Sequence, residues 1–581
     1  MQLHFSALTK SYQGKAVFQQ LSGIIGEGDK IGLIGANGIG KTTLLKLLAG
    51  EEEADSGVVR YLPSAAKVLY LEQYPTYPAK TTVFEVLLSA AVEYQEKEDC
   101  QLLVQEALRQ VGLTQEKWQQ QALQLSGGEK TKLALARLLF SDFDMLILDE
   151  PTNHLDLHGQ AWLEEYLQEL TQPLLVISHN RYFLDRTVNT IWELTALGLE
   201  VYPGNYSAYC KQKAMAQKQL QREYEKQQQR IQHLQKVISE KKDWYGSAHR
   251  AAGQNDFYRS KAKKHARVLK AKEKELARIE RDKVSKPQRT VSPAFEIINK
   301  KLLSHKMPPL LVEGNNISKR YGERSILSNL SFTIKRGDRI AVIGENGAGK
   351  TTLLRIISRL EAVEEGTVRV SPAVKIGYFA QELSNLKWEA TVLDNVVTDE
   401  YTTAEVRLLL ACLLFRGDDV FKKVAALSLG EKGRVAFAKL ILSGANLLVL
   451  DELTNYMDIQ TKEKVETVLA DYQGSMIFVS HDRYFIEKLA NRIFLLEKQK
   501  LQCYEGDYQY FLAKRRQQHT ETKVGSNYQQ VKDKIRCLEY EIALLSGQLA
   551  AAIDEQEKEQ LEAKFLNCAR ELAVQKKLLE S

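Results

Sequence analysis

Short apolar runs recur along the chain, and each stops at a polar or glycine-rich turn. The runs 145-MLILDE-150 and 447-LLVLDE-452 read as buried strands that end on paired acids. Two more, 174-LLVIS-178 and 476-MIFVS-480, read as strands that end just before a histidine. The run 31-IGLI-34 predicts a strand that opens into a glycine turn and then a helix. A different period appears near the end of the chain. Ile535, Leu538, Ile542, Leu545 and Leu549 follow a 3–4 spacing, and Leu561, Phe565, Leu572 and Leu579 fit a returning helix. That pattern predicts a short antiparallel coiled coil over 520–581.

The strand–turn–helix pattern occurs twice. Tyr12 and Lys41 return 309 residues later as Tyr321 and Lys350, and Gln73 returns 308 later as Gln381. Ser126, Asp149 and His179 return 302 later as Ser428, Asp451 and His481. This spacing is too long for a solenoid, so it marks a duplicated domain, placed at 1–208 and 310–516. The fall in offset makes the second copy six residues shorter between Gln381 and Ser428.

Between the copies, 209–309 reads as a helical hairpin and its return. Helices over about 208–242 and 258–284 flank 243-DWYGSAHRAAGQNDFY-258, where Gly246 and Gly253 predict a break. Ser285 to Pro309, with several prolines, reads as a linker. Charge sharpens this division. From Lys211 to Thr290 there are 23 Lys/Arg against 9 Asp/Glu, a net of +14, which leaves −8 on the rest of a chain of net charge +6. A basic arm on an acidic body suits the backbone of folded RNA. Trp244, Tyr245, His249, Phe257 and Tyr258 could stack on unpaired bases.

Composition excludes several classes. The chain has 581 residues, enough for three to five domains, with 44% hydrophobic and 27% charged residues, as in ordinary globular proteins. The longest apolar run, 408-LLLACLLF-415, is less than half the ~18 residues a membrane span needs. It reads as a buried helix turn. The start, MQLHFSALTK, lacks the features of a signal peptide. Six scattered cysteines, with no C-x-x-C pair, fit reduced thiols in a cytoplasm and argue against zinc or iron–sulfur sites.

The glycine turns carry the first candidate chemistry. In 31-IGLIGANGIGKTTLL-45, Gly35, Gly38 and Gly40 let the backbone turn its N–H groups toward phosphate oxygens. Lys41 then reaches the β- and γ-phosphates, Thr42 can ligate Mg²⁺, and the helix N-terminus adds positive potential. The second copy repeats the turn as 344-GENGAGKTT-352. Asp149 and Asp451 suit a cation and its waters, and Glu150 and Glu452 suit polarising an attacking water.

The order of P-loop, glutamine, 125-LSGGE-129, LDE, TNHLD and SH resembles the ATP-binding-cassette ATPases, over some four hundred residues in both copies. Tandem cassettes joined by a basic hairpin, without a membrane span, resemble the ABC-F family of ribosome-binding proteins. The resemblance implies an α/β fold of two P-loop cassettes that sandwich two ATP molecules with Mg²⁺ and hydrolyse them. Each signature would close on the ATP held by the other cassette, in a monomer with an intramolecular pair. One site would use Tyr12 on adenine, the loop Gly35, Asn37, Gly38, Gly40, Lys41, Thr42 and Thr43, with Asp149, Glu150 and His179. Ser428 and Gly430 would close it. The other would use Tyr321, the loop Gly344, Asn346, Gly347, Gly349, Lys350, Thr351 and Thr352, with Asp451, Glu452 and His481. Ser126, Gly127 and Gly128 would close that one. Gln73 and Gln381 would join Thr42, Asp149, Thr351 and Asp451 around Mg²⁺.

The resemblance also implies that the basic linker reaches tRNA and rRNA near the peptidyl-transferase centre. The short stretch between each glutamine and signature, and the departures in the second cassette, resemble the branch that protects ribosomes from antibiotics. A housekeeping translation factor is the near rival. A DNA-maintenance ATPase and the energy subunit of a transporter are the readings from other classes. The copies differ: Leu429 stands where the first has Gly127, Leu453 where it has Pro151, and Tyr456 where it has His154. These departures predict unequal turnover, with the site closed by Ser428 the slower.

Overall fold

The structure is a computed structural model. It describes all residues except 74, 95–99, 154, 252–255, 283–296, 298, 300–306, 381–385, 456, 518–533, 537, 540, 544, 547–563, 574–575 and 577–581. The chain forms two compact units: Met1–Leu489 with Phe494–Gln502, and Ala490–Ile493 with Cys503–Ser581.

The first unit holds copy one and most of copy two. In copy one the strand Lys30–Ile34 lies between Leu174–Ile177 and Thr190–Thr195, all parallel. Met145–Asp149 and then Val68–Leu71 extend the sheet beyond Leu174–Ile177. Met145–Asp149 and Leu174–Ile177 are buried at every residue, so they read as unbroken apolar runs rather than alternating ones. A separate antiparallel sheet joins Gln2–Tyr12 to Lys15–Ile25 and Ser56–Leu62. The helix Lys41–Ala49 ties the two sheets together. Its Leu44, Leu45, Leu47 and Leu48 are buried in one core with Leu3, Phe5, Met145 and Ile177. A helical part, Val83–Tyr94, Cys100–Gln110 and Gly127–Leu138, has its own core around Leu87, Val104 and Leu133.

Copy two repeats the plan. Arg339–Ile343, Ser475–Val479, Leu447–Asp451 and Ile376–Phe379 form the parallel core in the same spatial order. The run 408–415 falls in and just after the helix Thr403–Cys412, with Leu409, Leu410, Cys412 and Leu413 buried.

The basic segment forms two long helices, Tyr206–Ala251 and Asp256–Arg281. Ile231, Leu234 and Ile238 are buried at helical spacing, and Arg230–Glu275 and Lys242–Glu273 ion pairs join the helices. The helix runs through Gly246, contrary to the break expected there. One interior glycine costs about 1 kcal/mol relative to alanine, too little to end a helix supported on both sides by helix formers. Gly253 lies outside the described residues. The first helix also starts earlier than expected, at Tyr206. Tyr206 and Tyr209 pack into the copy-one core beside Leu163 and Phe183.

In the second unit, helical residues occur within 534–546 and 564–576, joined by Lys534–Glu571 and Lys576–Glu539 ion pairs. Leu549, Leu561 and Leu579 of the expected seam lie outside the described residues. Among the described residues no helix is long and apolar enough to cross a membrane.

Candidate functional site

Each buried central strand delivers a glycine loop onto a helix N-terminus. Gly40 and Gly349 sit at the N-caps with φ of 102° and 101°, a left-handed region open to glycine. A Cβ on Gly40 would come within 2.3 Å of Val17 Cγ1, so space as well as φ demands glycine. Lys41 and Lys350 are 8% and 6% exposed. The Lys41 ammonium donates to Gly35 O at 2.9 Å and Ala36 O at 3.2 Å; Lys350 donates to Gly344 O and Glu345 O at 2.8 and 2.9 Å. Both are thus held across their loops. Burial lowers the pKa of each lysine, opposed by the nearby carboxylates.

Asp149 and Asp451 stand at the ends of their strands, where the Thr42 and Thr351 side chains act on their carboxylates. Tyr70 and Tyr378 also reach these carboxylates, at 3.5 Å each. Burial raises both aspartate pKa values. Asp451 Oδ1 is buried with no hydrogen-bond partner among the described residues. A buried carboxylate oxygen beside a threonine hydroxyl is a donor set suited to a hard divalent cation. Gln73 follows the strand Val68–Leu71, whose Leu71 pairs with Leu148, next to Asp149. Gln381 lies outside the described residues.

Glu150 and Glu452 both have φ of 50°, a left-handed conformation that costs a non-glycine residue energy and clusters at functional sites. Burial, and next the Asp149 charge, push Glu150 up to about 7; burial and the Asp451 charge raise Glu452. His179 donates its backbone N–H to Glu150 Oε2 at 3.2 Å. Its Nε2 lies 3.3 Å from Glu150 Oε1 and 3.2 Å from Asn37 Oδ1. Burial lowers the His179 pKa well below its usual value. His481 stands 3.7 Å from Glu452, and Asn455 donates to that carboxylate.

The two copies face each other. A cavity of about 1020 Å³ is lined by Tyr321, Asn346, Gly347, Lys350, Thr351, Thr352, Glu452 and His481 of copy two and by Ser126, Gly127, Gly128 and Asp156 of copy one. The signature of one copy therefore opposes the P-loop of the other. At the opposite site, Asp458 of copy two accepts from the Asn37 N–H of the copy-one loop at 3.3 Å. Ser126 and Ser428 cap their helices alike, each closing a capping box with the glutamate three residues on. Leu429 takes the first helical position without disturbing that cap, and its side chain is 48% exposed. His154 and Tyr456 lie outside the described residues.

Sequence reasoning missed the contacts that hold this arrangement. Arg181 pairs with Glu466 and lies 3.4 Å from Asp482; Arg483 reaches Glu164 at 3.3 Å and Leu157 O. Arg181 and Arg483, and Glu164 and Glu466, are related by the same 302-residue offset as the motifs, so the arginine–glutamate contact is pseudo-symmetric. Tyr182 and Tyr484 meet edge to face at its centre, with Arg483 over Tyr182 at 4.5 Å. Tyr206, in the first turn of the basic helix, donates to Glu463 of copy two at 3.1 Å. The available signal was the dipeptide RY two residues after each SH motif, repeated at 181 and 483.

A family model described as ABC transporter matches residues 18–153 and 327–455, and a second with the same description matches 192–297. The chain is 35% identical to the putative ATP-binding protein YdiF of Bacillus subtilis, over 89% of this chain and 83% of that one. It is 34% identical to the ribosome protection protein VmlR of the same organism, over 83% and 84%. It is 33% identical to ABC transporter F family member 5 of Arabidopsis thaliana, over 87% and 76%. In fold it resembles an archaeal ribosome recycling factor, aABCE1, solved in complex with a ribosomal stalk protein. That match has a TM-score of 0.58 and 19% identity, over 87% of this chain and 92% of that one. Paired cassettes with opposed signatures, matched by these relatives along most of their length, make this chain a member of the ABC-F family of ATP-binding-cassette ATPases.

Proposed function

We propose that the chain hydrolyses ATP at two sites between its cassettes and uses that cycle to bind and release the ribosome. The observation that carries the reading is the cavity in which Ser126, Gly127 and Gly128 of one cassette face Lys350, Thr351 and Glu452 of the other. In each site the loop N–H groups and the lysine hold the β- and γ-phosphates, and the signature helix N-terminus grips the γ-phosphate from across the gap. Tyr12 and Tyr321 stack on adenine. Mg²⁺, when bound, neutralises charge developing on the phosphates; Thr42 with Asp149, and Thr351 with Asp451, are the residues to hold it, and Gln73 and Gln381 complete the sets. Glu150 and Glu452 orient and polarise the attacking water. His179 and His481 steady those carboxylates.

The partner is argued from charge and kinship. The basic hairpin carries +14, and VmlR, which aligns along most of this chain, is by name a ribosome protection protein. The hairpin reaches rRNA and tRNA near the peptidyl-transferase centre, in the cytoplasm, as part of a monomer. Its role is protection of ribosomes from an antibiotic; a housekeeping translation factor is the competing reading. Co-sedimentation with 70S ribosomes tests the partner, using Glu150→Gln/Glu452→Gln chain with ATP. The expected result is an ATP-dependent pellet at low salt that weakens steeply as salt rises, and that disappears when 244–258 is deleted. A chain left in the supernatant at low salt overturns the ribosome reading.

The two sites are expected to turn over unequally. Leu429 projects from the signature that closes on the Lys41 site, where the other signature presents glycine. Glu452→Gln, which leaves that site its glutamate, should retain a lower ATPase rate than Glu150→Gln. Equal residual rates would remove Leu429 as a determinant.

A further inference from the structure

The two adenine-stacking candidates share a support that the motifs do not include. The Tyr12 hydroxyl donates to Glu52 at 2.5 Å, and the Tyr321 hydroxyl donates to Glu361. Lys10 lies 3.0 Å from Glu52 and 5.4 Å from the Tyr12 ring centroid; Lys319 lies 3.3 Å from Glu361 and 5.4 Å from the Tyr321 ring. Each lysine also donates to a backbone carbonyl beyond its glutamate, Lys10 to Glu53 O and Lys319 to Ala362 O. The arrangement is built twice from segments 309 residues apart.

Its burial is inverted. Tyr12 and Tyr321 are 46% and 49% exposed, yet the Lys10 and Lys319 side chains beneath them are only 12% and 14% exposed. Packing alone would bury the ring and expose the charge. Here an ammonium holds one side of each ring and leaves aromatic surface facing outward. Glu52 and Glu361 follow the helices Lys41–Ala49 and Lys350–Ile357, so each tyrosine hydroxyl is bonded just beyond the phosphate-binding helix. The ring is therefore referenced to the phosphate-binding helix as well as to its own strand. Tyr321 lines the same cavity as Lys350 and Thr351.

We propose that Glu52 with Lys10, and Glu361 with Lys319, are positioning residues that fix each tyrosine ring at a set distance from its P-loop, so that a nucleobase and its triphosphate engage together. This rests on the nucleotide reading of the site. Freed of its glutamate, the ring can swing about its Cα–Cβ bond, and base stacking weakens while phosphate binding stays.

The test compares MgATP with inorganic tripolyphosphate, which has the phosphates and no base. Glu52→Ala/Glu361→Ala should raise the ATP KM about tenfold, the scale of a stacking contact, with a far smaller change in kcat. Binding of tripolyphosphate, read by competition, should stay within about twofold in that variant. Tyr12→Phe/Tyr321→Phe should reproduce the defect, and combining the two sets should add nothing further. Glu52→Gln/Glu361→Gln keeps an acceptor for the hydroxyl and should restore most of the affinity. Equal weakening of ATP and tripolyphosphate, or additive defects, would overturn the clamp. Wild-type chain that binds tripolyphosphate as tightly as ATP would instead remove the base from the site and overturn the nucleotide reading beneath it.

Discussion

Replacing Glu150 and Glu452 together with glutamine should cut ATP turnover by about 10²–10⁴-fold, the contribution of a positioned general base, and leave ATP bound. Glutamine matches glutamate in shape and still accepts from the His179 N–H, so the loop keeps its form. What it loses is the negative charge and basicity needed to polarise water. Both glutamates sit in a strained left-handed conformation immediately after a buried strand, and burial opposes the ionised form. A carboxylate held in that conformation fits the water-polarising role proposed for it. Phosphate release gives the rate, and filter retention of labelled ATP gives the occupancy. Turnover within tenfold of wild type would mean that another group activates the water.

The second large effect is expected at the arginines between the cassettes. Arg181→Met removes the cross-cassette partner of the buried Glu466, which keeps Lys488 of its own cassette, and Arg483→Met removes the cross-cassette partner of Glu164. Breaking such a pair by deleting one partner costs about 3–5 kcal/mol. Much of that cost falls on closure, because opening the cassettes returns the carboxylates to water. The expected result is an ATPase rate lowered about 10²–10³-fold, with little change in melting temperature. The exchange Arg483→Glu/Glu164→Arg should recover part of the rate. A variant that melts early instead would place these pairs in the folding of each cassette rather than in their meeting.

The chemistry was legible in the sequence wherever it is contiguous. The loops 35–43 and 344–352, the signatures at 125 and 427, and the acids at 149 and 451 each lie on one turn or strand end. Their neighbours therefore specify both residue type and backbone shape. The opposition of Ser126 to Lys350 came from the family pattern, since no local rule reports which surface meets which. The Arg181–Glu466 contact spans 285 residues, and either residue alone reads as an ordinary surface charge. The left-handed backbone at Glu150 was hidden because glutamate carries no glycine-like mark of it. Gly246 misled for the opposite reason: a local preference of about 1 kcal/mol was read as enough to end a helix.

The basic helix starts with Tyr206 and Tyr209 in the core of the first cassette, and Tyr206 bonds Glu463 of the second. Ser207 N–H bonds Asp185, whose other oxygen accepts from Tyr484 of the second cassette. That root is the short end of a lever. A straight helix of 46 residues is about 69 Å long at 1.5 Å per residue. Turning its root by about 5° would carry the far end through about 6 Å over that length. A turn of that size at the root would thus become a stride longer than the step between stacked bases. The gain comes from length alone and needs no hinge along the way.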